Sequence, residues 1–155
     1  MSMKRLVVKQ YRENVNRARV MLDGLSMPSE GWLRTVRKAL DMSGAQLGRR
    51  LGVTRAAISN REKDELSGRI TIKSMQQMAE SMGCQFVYAI VPENDIEDVV
   101  LKRARLKAMQ QVRNAGVHMA LESQLIAEGK LLAEIERLAK EMLDKPSSDF
   151  WNDDE

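Results

Sequence analysis

Near the start of the chain, apolar residues recur at alternating steps of three and four: Val8, Tyr11, Val15, Ala18, Leu22 and Leu25. That spacing gathers them on one face and predicts a helix over 3–25, ended by Pro28. Arg12, Glu13, Arg17 and Arg19 fall off the stripe. The stripe serves either as a packing face for the next domain or as a dimer seam.

Four short helices follow, each with a start signal. Ser29 can cap a helix carrying Trp32, Leu33, Val36, Ala39 and Leu40. Ser43 caps the next, where Gln46 completes a capping box and Met42 and Leu47 take the staple positions. Thr54 caps the third with Val53 and Ile58 as staple, and Thr71 the fourth with Ile70 and Met75. Ile72, Met75, Ala79 and Met82 form the expected buried face of that fourth helix, and Gly83 stops it.

"CQFVYAIVP", Cys84 to Pro92, is the strand-like run. Phe86, Tyr88 and Ile90 alternate with Val87, Ala89 and Val91, so both faces are apolar. A single strand is not stable alone. It is expected to pair with its own copy across a two-fold axis, or else to pack on the helices as a buried extended segment. Residues 95–114 and 117–143 read as two further helices, parted near Asn114-Ala115-Gly116; Leu121, Leu125, Leu132, Ile135, Ala139 and Met142 line one stripe of the second. The acidic tail "KPSSDFWNDDE" is expected to be disordered apart from contacts of Phe150 and Trp151.

The expected fold is therefore mainly α, divided into an N-terminal helix (1–28), a helical domain (29–83), a dimerisation strand (84–92), a C-terminal helical region (93–145) and an acidic tail (146–155). Composition agrees: 43% of residues are apolar but only 4% aromatic, with 11 methionines, which suits an aliphatic, pliable helical core. Charge adds an asymmetry. Residues 1–91 hold 16 Lys and Arg against 8 Asp and Glu, whereas residues 92–155 hold 9 against 14. A basic front half suggests polyanion binding, and the acidic rear half suggests another job.

Several classes are disfavoured. No apolar run approaches the roughly 18 residues a membrane span needs, and no secretory signal is legible. Cys84 is alone, which excludes an internal disulfide and suits a reducing cytoplasm. His118 is the lone histidine, and no Gly-rich phosphate loop or carboxylate cluster accompanies it. No enzyme activity, cofactor or metal site is expected.

The second and third short helices are joined by Gly52-Val53, and glycine supplies the positive φ of a tight turn between crossed helices. This is helix–turn–helix spacing, in which the second helix lies in the DNA major groove and its N-terminal residues reach base edges. Leu47, Leu51 and Ile58 are the inward anchors; Arg55, Ala56, Ser59 and Asn60 project outward.

"WLRTVRKALDMSGAQLGRRLGVTRAAISNREK…ITIKSMQQMAESMG" resembles the phage-repressor-type (XRE) helix–turn–helix family, a five-helix DNA-binding fold, over roughly residues 30–83. More narrowly, "PSEGWLRTVRKALDMSGAQLG", "EKDE" and "CQFVYAIVP" are similar to the family called mobile mystery protein A, regulators usually encoded beside a Fic-domain protein. The resemblance implies a base-reading set of Arg55, Ala56, Ser59 and Asn60; Arg suits guanine O6/N7 and Asn suits adenine N6/N7. It implies phosphate contacts by Ser43, Gly44, Arg50, Thr54, Lys63, Arg69 and Lys73. Arg37 and Glu62 match the family's internal ion pair. Gly44 stands where a phosphate-binding Gln is frequent, and Arg61 where an apolar residue is usual. Double-stranded DNA with a pseudo-palindromic operator, and a homodimer joined through Phe86, Tyr88 and Ile90, are the expected partners.

One rear fragment suggests a further partner. "ALESQLIAEG", Ala120 to Gly129, resembles the inhibitory helix of antitoxins that silence Fic-domain AMP-transferases, in which a Glu pairs with an arginine of the ATP site. Ser123, Gln124, Glu128 and Gly129 are the residues it implicates. Ser123 lies five rather than four residues before Glu128, so Gln124 holds the position on the same helix face.

Overall fold

The structure, a computed structural model, describes residues 2–119 and 128–153. It is mainly α, and the chain divides into two compact units: Asp23–Ala89, and Met1–Leu22 together with Ile90–Glu155.

The first of these units holds helices α2 (Trp32–Ala39), α3 (Gly44–Leu51), α4 (Arg55–Ser67) and α5 (Ile72–Ser81), following α1 (Met3–Met21) in chain order. Three caps form as the sequence predicts. The Ser43 hydroxyl accepts from the Gln46 N–H at 3.1 Å while the Ser43 N–H donates to the Gln46 side chain at 2.8 Å. Thr54 and Thr71 accept from Ala57 and Ser74 at 3.1 and 3.0 Å. All six staple residues, Met42, Leu47, Val53, Ile58, Ile70 and Met75, reach one core shared with Leu33, Met78 and Met82. Each staple thus fixes both the entry of its helix and a piece of the centre.

Three expectations about this unit are corrected. Ser29 does not cap α2: the N-cap is Gly31, at φ 82°, with no side-chain cap of its own. The Glu65 carboxylate supplies one instead, accepting from the N–H groups of Trp32 at 2.7 Å and Leu33 at 2.8 Å. Ile72 is half exposed, and Met78, fully buried, takes the inward place on α5. The four short helices read from the caps are all present and Gly83, at φ 72°, ends the last, so the unit has four helices where the family resemblance implies five. Cys84–Pro92 runs without turn or bend and pairs with no strand among the described residues, where a lone segment has no neighbour to complete a ladder. Phe86 alone of this run packs on the core.

The second unit holds α1, α6 (Ile96–Met119) and α7 (Glu128–Asp144). α1 ends at Met21, short of the expected Leu25, because Gly24 takes a left-handed φ of 77°. Asn16 fastens it to the start of α6: its amide donates to Glu97 at 2.8 Å and accepts from the Ile96 N–H at 2.8 Å. The hydrogen bond from Asn16 holds the Glu97 carboxyl below the ordinary carboxylate range. Val15, Ala18 and Leu22 are partly covered, while Tyr11 stays exposed.

α6 runs unbroken through Asn114-Ala115-Gly116, so the expected break there is absent. Arg105 pairs with Glu136, 31 residues on. Gln111 with Met142, and Asn114 with Lys145, wall one cavity at the same spacing. α6 and α7 therefore lie side by side and parallel. Ala104, Ala108 and Ala139 are wholly buried, and their small side chains allow this close approach. Of the stripe expected on α7, Ile135 and Ala139 are buried, Met142 is half-buried and Leu132 is 62% exposed. Leu121 and Leu125 lie outside the described residues.

The tail is not loose. Phe150 is buried in the core of this unit. The Arg103 guanidinium donates to the Phe150 carbonyl at 2.8 Å, the Asn152 carbonyl at 2.6 Å and the Asp153 carboxylate at 2.9 Å, and it lies over the Trp151 ring.

Candidate nucleic-acid interface

The turn between α3 and α4 is built by two glycines with different jobs. Gly52 closes α3 in the left-handed region at φ 71°, where a side chain is disfavoured by local sterics and not by crowding, since the space around it is open. Gly48 is buried, and a Cβ there would stand 2.7 Å from the Val53 carbonyl oxygen. The Val53 N–H donates to the Gly48 carbonyl at 2.8 Å. The sequence reading picked out Gly52 by its turn position but missed Gly48, which sits inside a helix pattern where only the crossing backbone makes glycine necessary.

This crossing sets the face that α4 presents. At 100° per residue, Arg55, Ala56, Ser59, Asn60 and Lys63 fall within an arc of roughly 140°. All five are exposed. Ile58 and Glu62 fall outside that arc and are buried, with Leu47 fully buried beneath them. The Glu62 carboxylate accepts from Arg37 Nε at 2.6 Å and from its second nitrogen at 3.3 Å; the third donates to the Met42 carbonyl at 2.9 Å. The guanidinium and carboxylate side chains are 13% and 11% exposed, so this pair lies under the exposed arc, tying α2 to α4.

The phosphate candidates separate into groups. The Ser43 and Thr54 hydroxyls are both occupied as caps. The Arg55 stem lies at the start of α3, its Cγ 3.6 Å from where a Gly44 Cβ would be. The structure thus brings Ser43, Gly44 and Arg55 together. Arg50 instead donates its Nε to the Ser81 carbonyl at 2.8 Å, at the C-terminal end of α5. Lys63, Arg69 and Lys73 are exposed, Arg69 just after the left-handed Gly68 and Lys73 in the first turn of α5. Arg61 lies beside the buried arc, and one of its terminal nitrogens is shielded from solvent with no hydrogen-bond partner among the described residues.

Glu65 was the functional-site neighbour that sequence reading passed over. Ile58, Glu62 and Glu65 recur at steps of four and three, so two carboxylates share an apolar stripe. That placement signals that each needs a buried partner.

Crossed α3 and α4, a capped second helix and an uncluttered polar arc at its N-terminal end define a helix–turn–helix DNA-binding domain. A family model described as helix-turn-helix, HTH_3, matches residues 33–88, which supports a DNA-binding regulator of the XRE kind. No curated protein and no solved structure matches the chain. No helix among the described residues is long and apolar enough to cross a membrane.

Of the residues implicated in Fic inhibition, Ser123 and Gln124 lie outside the described residues, as does the side chain of Glu128. Gly129 is exposed in the first turn of α7.

Proposed function

We propose that the protein is a sequence-specific transcriptional regulator that represses its own operon as a two-fold homodimer. The observation that carries this reading is the exposed arc Arg55, Ala56, Ser59 and Asn60 at the capped end of α4, seated over the Arg37–Glu62 pair. In the proposed complex Arg55 and Asn60 read base edges, since an Arg fork suits guanine and an Asn amide suits adenine. Ala56 touches a thymine methyl or leaves room, and Ser59 meets a base edge or phosphate. Ser43, Gly44, Arg50, Thr54, Lys63, Arg69 and Lys73 supply phosphate contacts, Arg50 with the nitrogens its Ser81 bond leaves over. Two subunits joined through Phe86, Tyr88 and Ile90 bind half-sites one helical turn apart. Footprinting across DNA upstream of its own gene tests this; absence of any protected palindrome would overturn autorepression.

A second reading coexists with the first: an antitoxin that inhibits a Fic-domain AMP-transferase. The likeness to the mobile mystery protein A family supplies the partner class. Support comes from the start of α7, where Leu132, expected to be inward, is exposed and a side chain at Gly129 would meet nothing within 4 Å. Among the described residues, that end of the helix is open to a partner. An AMP-transfer assay with a neighbour-encoded Fic protein and the Glu128→Gly variant tests it; unchanged inhibition removes Glu128 from the mechanism.

A further inference from the structure

The proposed homodimer can be given a register, and the inference rests on the reading of residues 84–92 as its pairing edge. We infer that this segment pairs with a second copy of itself, antiparallel and centred on Tyr88, so that Phe86 faces Ile90 and Val87 faces Ala89 across the two-fold axis.

The limits of the edge come from its hydrogen bonds. At one end Gly83 is left-handed, and the Cys84 N–H is already given to the Ala79 carbonyl at 2.8 Å. At the other, Pro92 has no N–H to give. Between them, residues 85–91 make no backbone hydrogen bond among the described residues. Seven consecutive residues thus carry unspent donors and acceptors, on a stretch that runs without turn or bend. Such a row is a template for another strand.

Symmetry then fixes the centre. In an antiparallel pair, directly opposed residues alternate between bonded and non-bonded pairs. A two-fold axis can pass only midway between two opposed residues, so a self-paired edge is centred on one residue facing its own copy. The middle of 85–91 is Tyr88. Any other centre leaves more donors of the row unpaired, or sets a residue opposite Pro92.

Three observations favour a second copy as the occupant. No residue from Cys84 to Pro92 is charged, so self-pairing sets no like charges opposite each other. This edge itself carries exposed apolar side chains: Val87 at 70%, Tyr88 at 66% and Ile90 at 93%. Finally, Phe86 packs on the core of its unit and stacks with Tyr88 at 5.7 Å. The inferred register sets the exposed Ile90 of one copy beside that anchored Phe86 of the other, on the same face of the ladder. Each copy thereby caps the open edge of its partner's core.

Single cysteines test the register in the full chain carrying Cys84→Ser. Tyr88→Cys should crosslink to a homodimer on mild oxidation. Val87→Cys and Ala89→Cys should fail alone and crosslink when mixed, because like residues off the axis lie beyond the roughly 7 Å Cα separation that a disulfide can bridge. Crosslinking by the Val87→Cys and Ala89→Cys mixture supports the register even if Tyr88→Cys weakens the dimer. A dimer by light scattering in which Val87→Cys or Ala89→Cys crosslinks alone overturns the register and leaves the edge in place. A dimer that crosslinks in none of these arms overturns both. A monomer that still binds its operator overturns the edge and the register together, while the DNA-binding reading stands.

Discussion

The Glu65 carboxylate fills the space that a side chain at Gly31 would occupy: a Cβ there would lie 2.9 Å from its nearest oxygen. Gly31 also sits at φ 82°, so glycine is required for both conformation and access. Gly31→Ala should cost about 2 kcal/mol, from the left-handed strain of roughly 1 kcal/mol and a weakened cap of similar size. Glu65→Ala should cost about 1–2 kcal/mol by leaving the Trp32 and Leu33 N–H groups unpaired. Chemical denaturation of the two variants and their double measures both. A double variant whose cost equals the sum of the two would show that they do not act through one cap.

Breaking the Arg37–Glu62 pair should be expensive and repairable. Arg37→Met alone or Glu62→Leu alone should cost about 3 kcal/mol, because each leaves one charge in a nearly buried site. The double variant should recover most of that loss, since the remaining groups are apolar. Denaturation midpoints read this directly; a double variant as unstable as the worse single one would refute it.

Arg61 predicts the opposite sign. Its shielded nitrogen has no partner among the described residues, and an apolar residue of similar length removes that unmet donor. Arg61→Met should raise stability by about 1 kcal/mol. A lowered melting temperature would mean that Arg61 has a partner on folding.

The proposed DNA-reading residues should separate binding from folding. Arg55→Ala and Asn60→Ala should each weaken operator binding by about 1–3 kcal/mol and relax preference at one base position, with melting temperature unchanged. Lys63→Ala should weaken binding to all sequences alike and flatten the salt dependence by about one unit of slope. Gel shifts over a salt series distinguish the two patterns. Equal effects on specific and random DNA for Arg55→Ala would move it to the phosphate class.

Arg103 should control the tail. Its guanidinium spends its donors on the Phe150, Asn152 and Asp153 groups. Arg103→Lys should not rescue it, since an ammonium lacks the planar fork. Both Arg103→Ala and Arg103→Lys should expose Trp151 further and raise amide exchange over 147–153. Unchanged protection with Lys would show that charge alone suffices.

Much of the DNA-binding domain was legible because its signals are local. Ser43, Thr54 and Thr71 each bond a donor three residues on, within one turn of chain. Each staple and the Gly52 turn likewise span a handful of residues, so sequence spacing alone determined them. The outward set on α4 followed from helix geometry once Ile58 was placed inside. The Arg37–Glu62 geometry, by contrast, was anticipated only through family resemblance, since the residues are 25 positions apart.

What tertiary structure alone decided lies between distant residues. Glu65 caps a helix 33 positions away, where a near Ser29 had seemed sufficient. Gly48 is required only because the Val53 carbonyl crosses against it. Arg103 reaches across 47 residues to make an acidic tail part of the core. Cys84–Pro92 alternates like a strand, yet alternation describes side chains and not the neighbour that must accept the hydrogen bonds. The sequence therefore determined where helices begin, where one turns and which face of α4 meets water. Packing decided which carboxylate, which glycine and which arginine would hold them, because those choices depend on groups that come within reach only when the chain is folded.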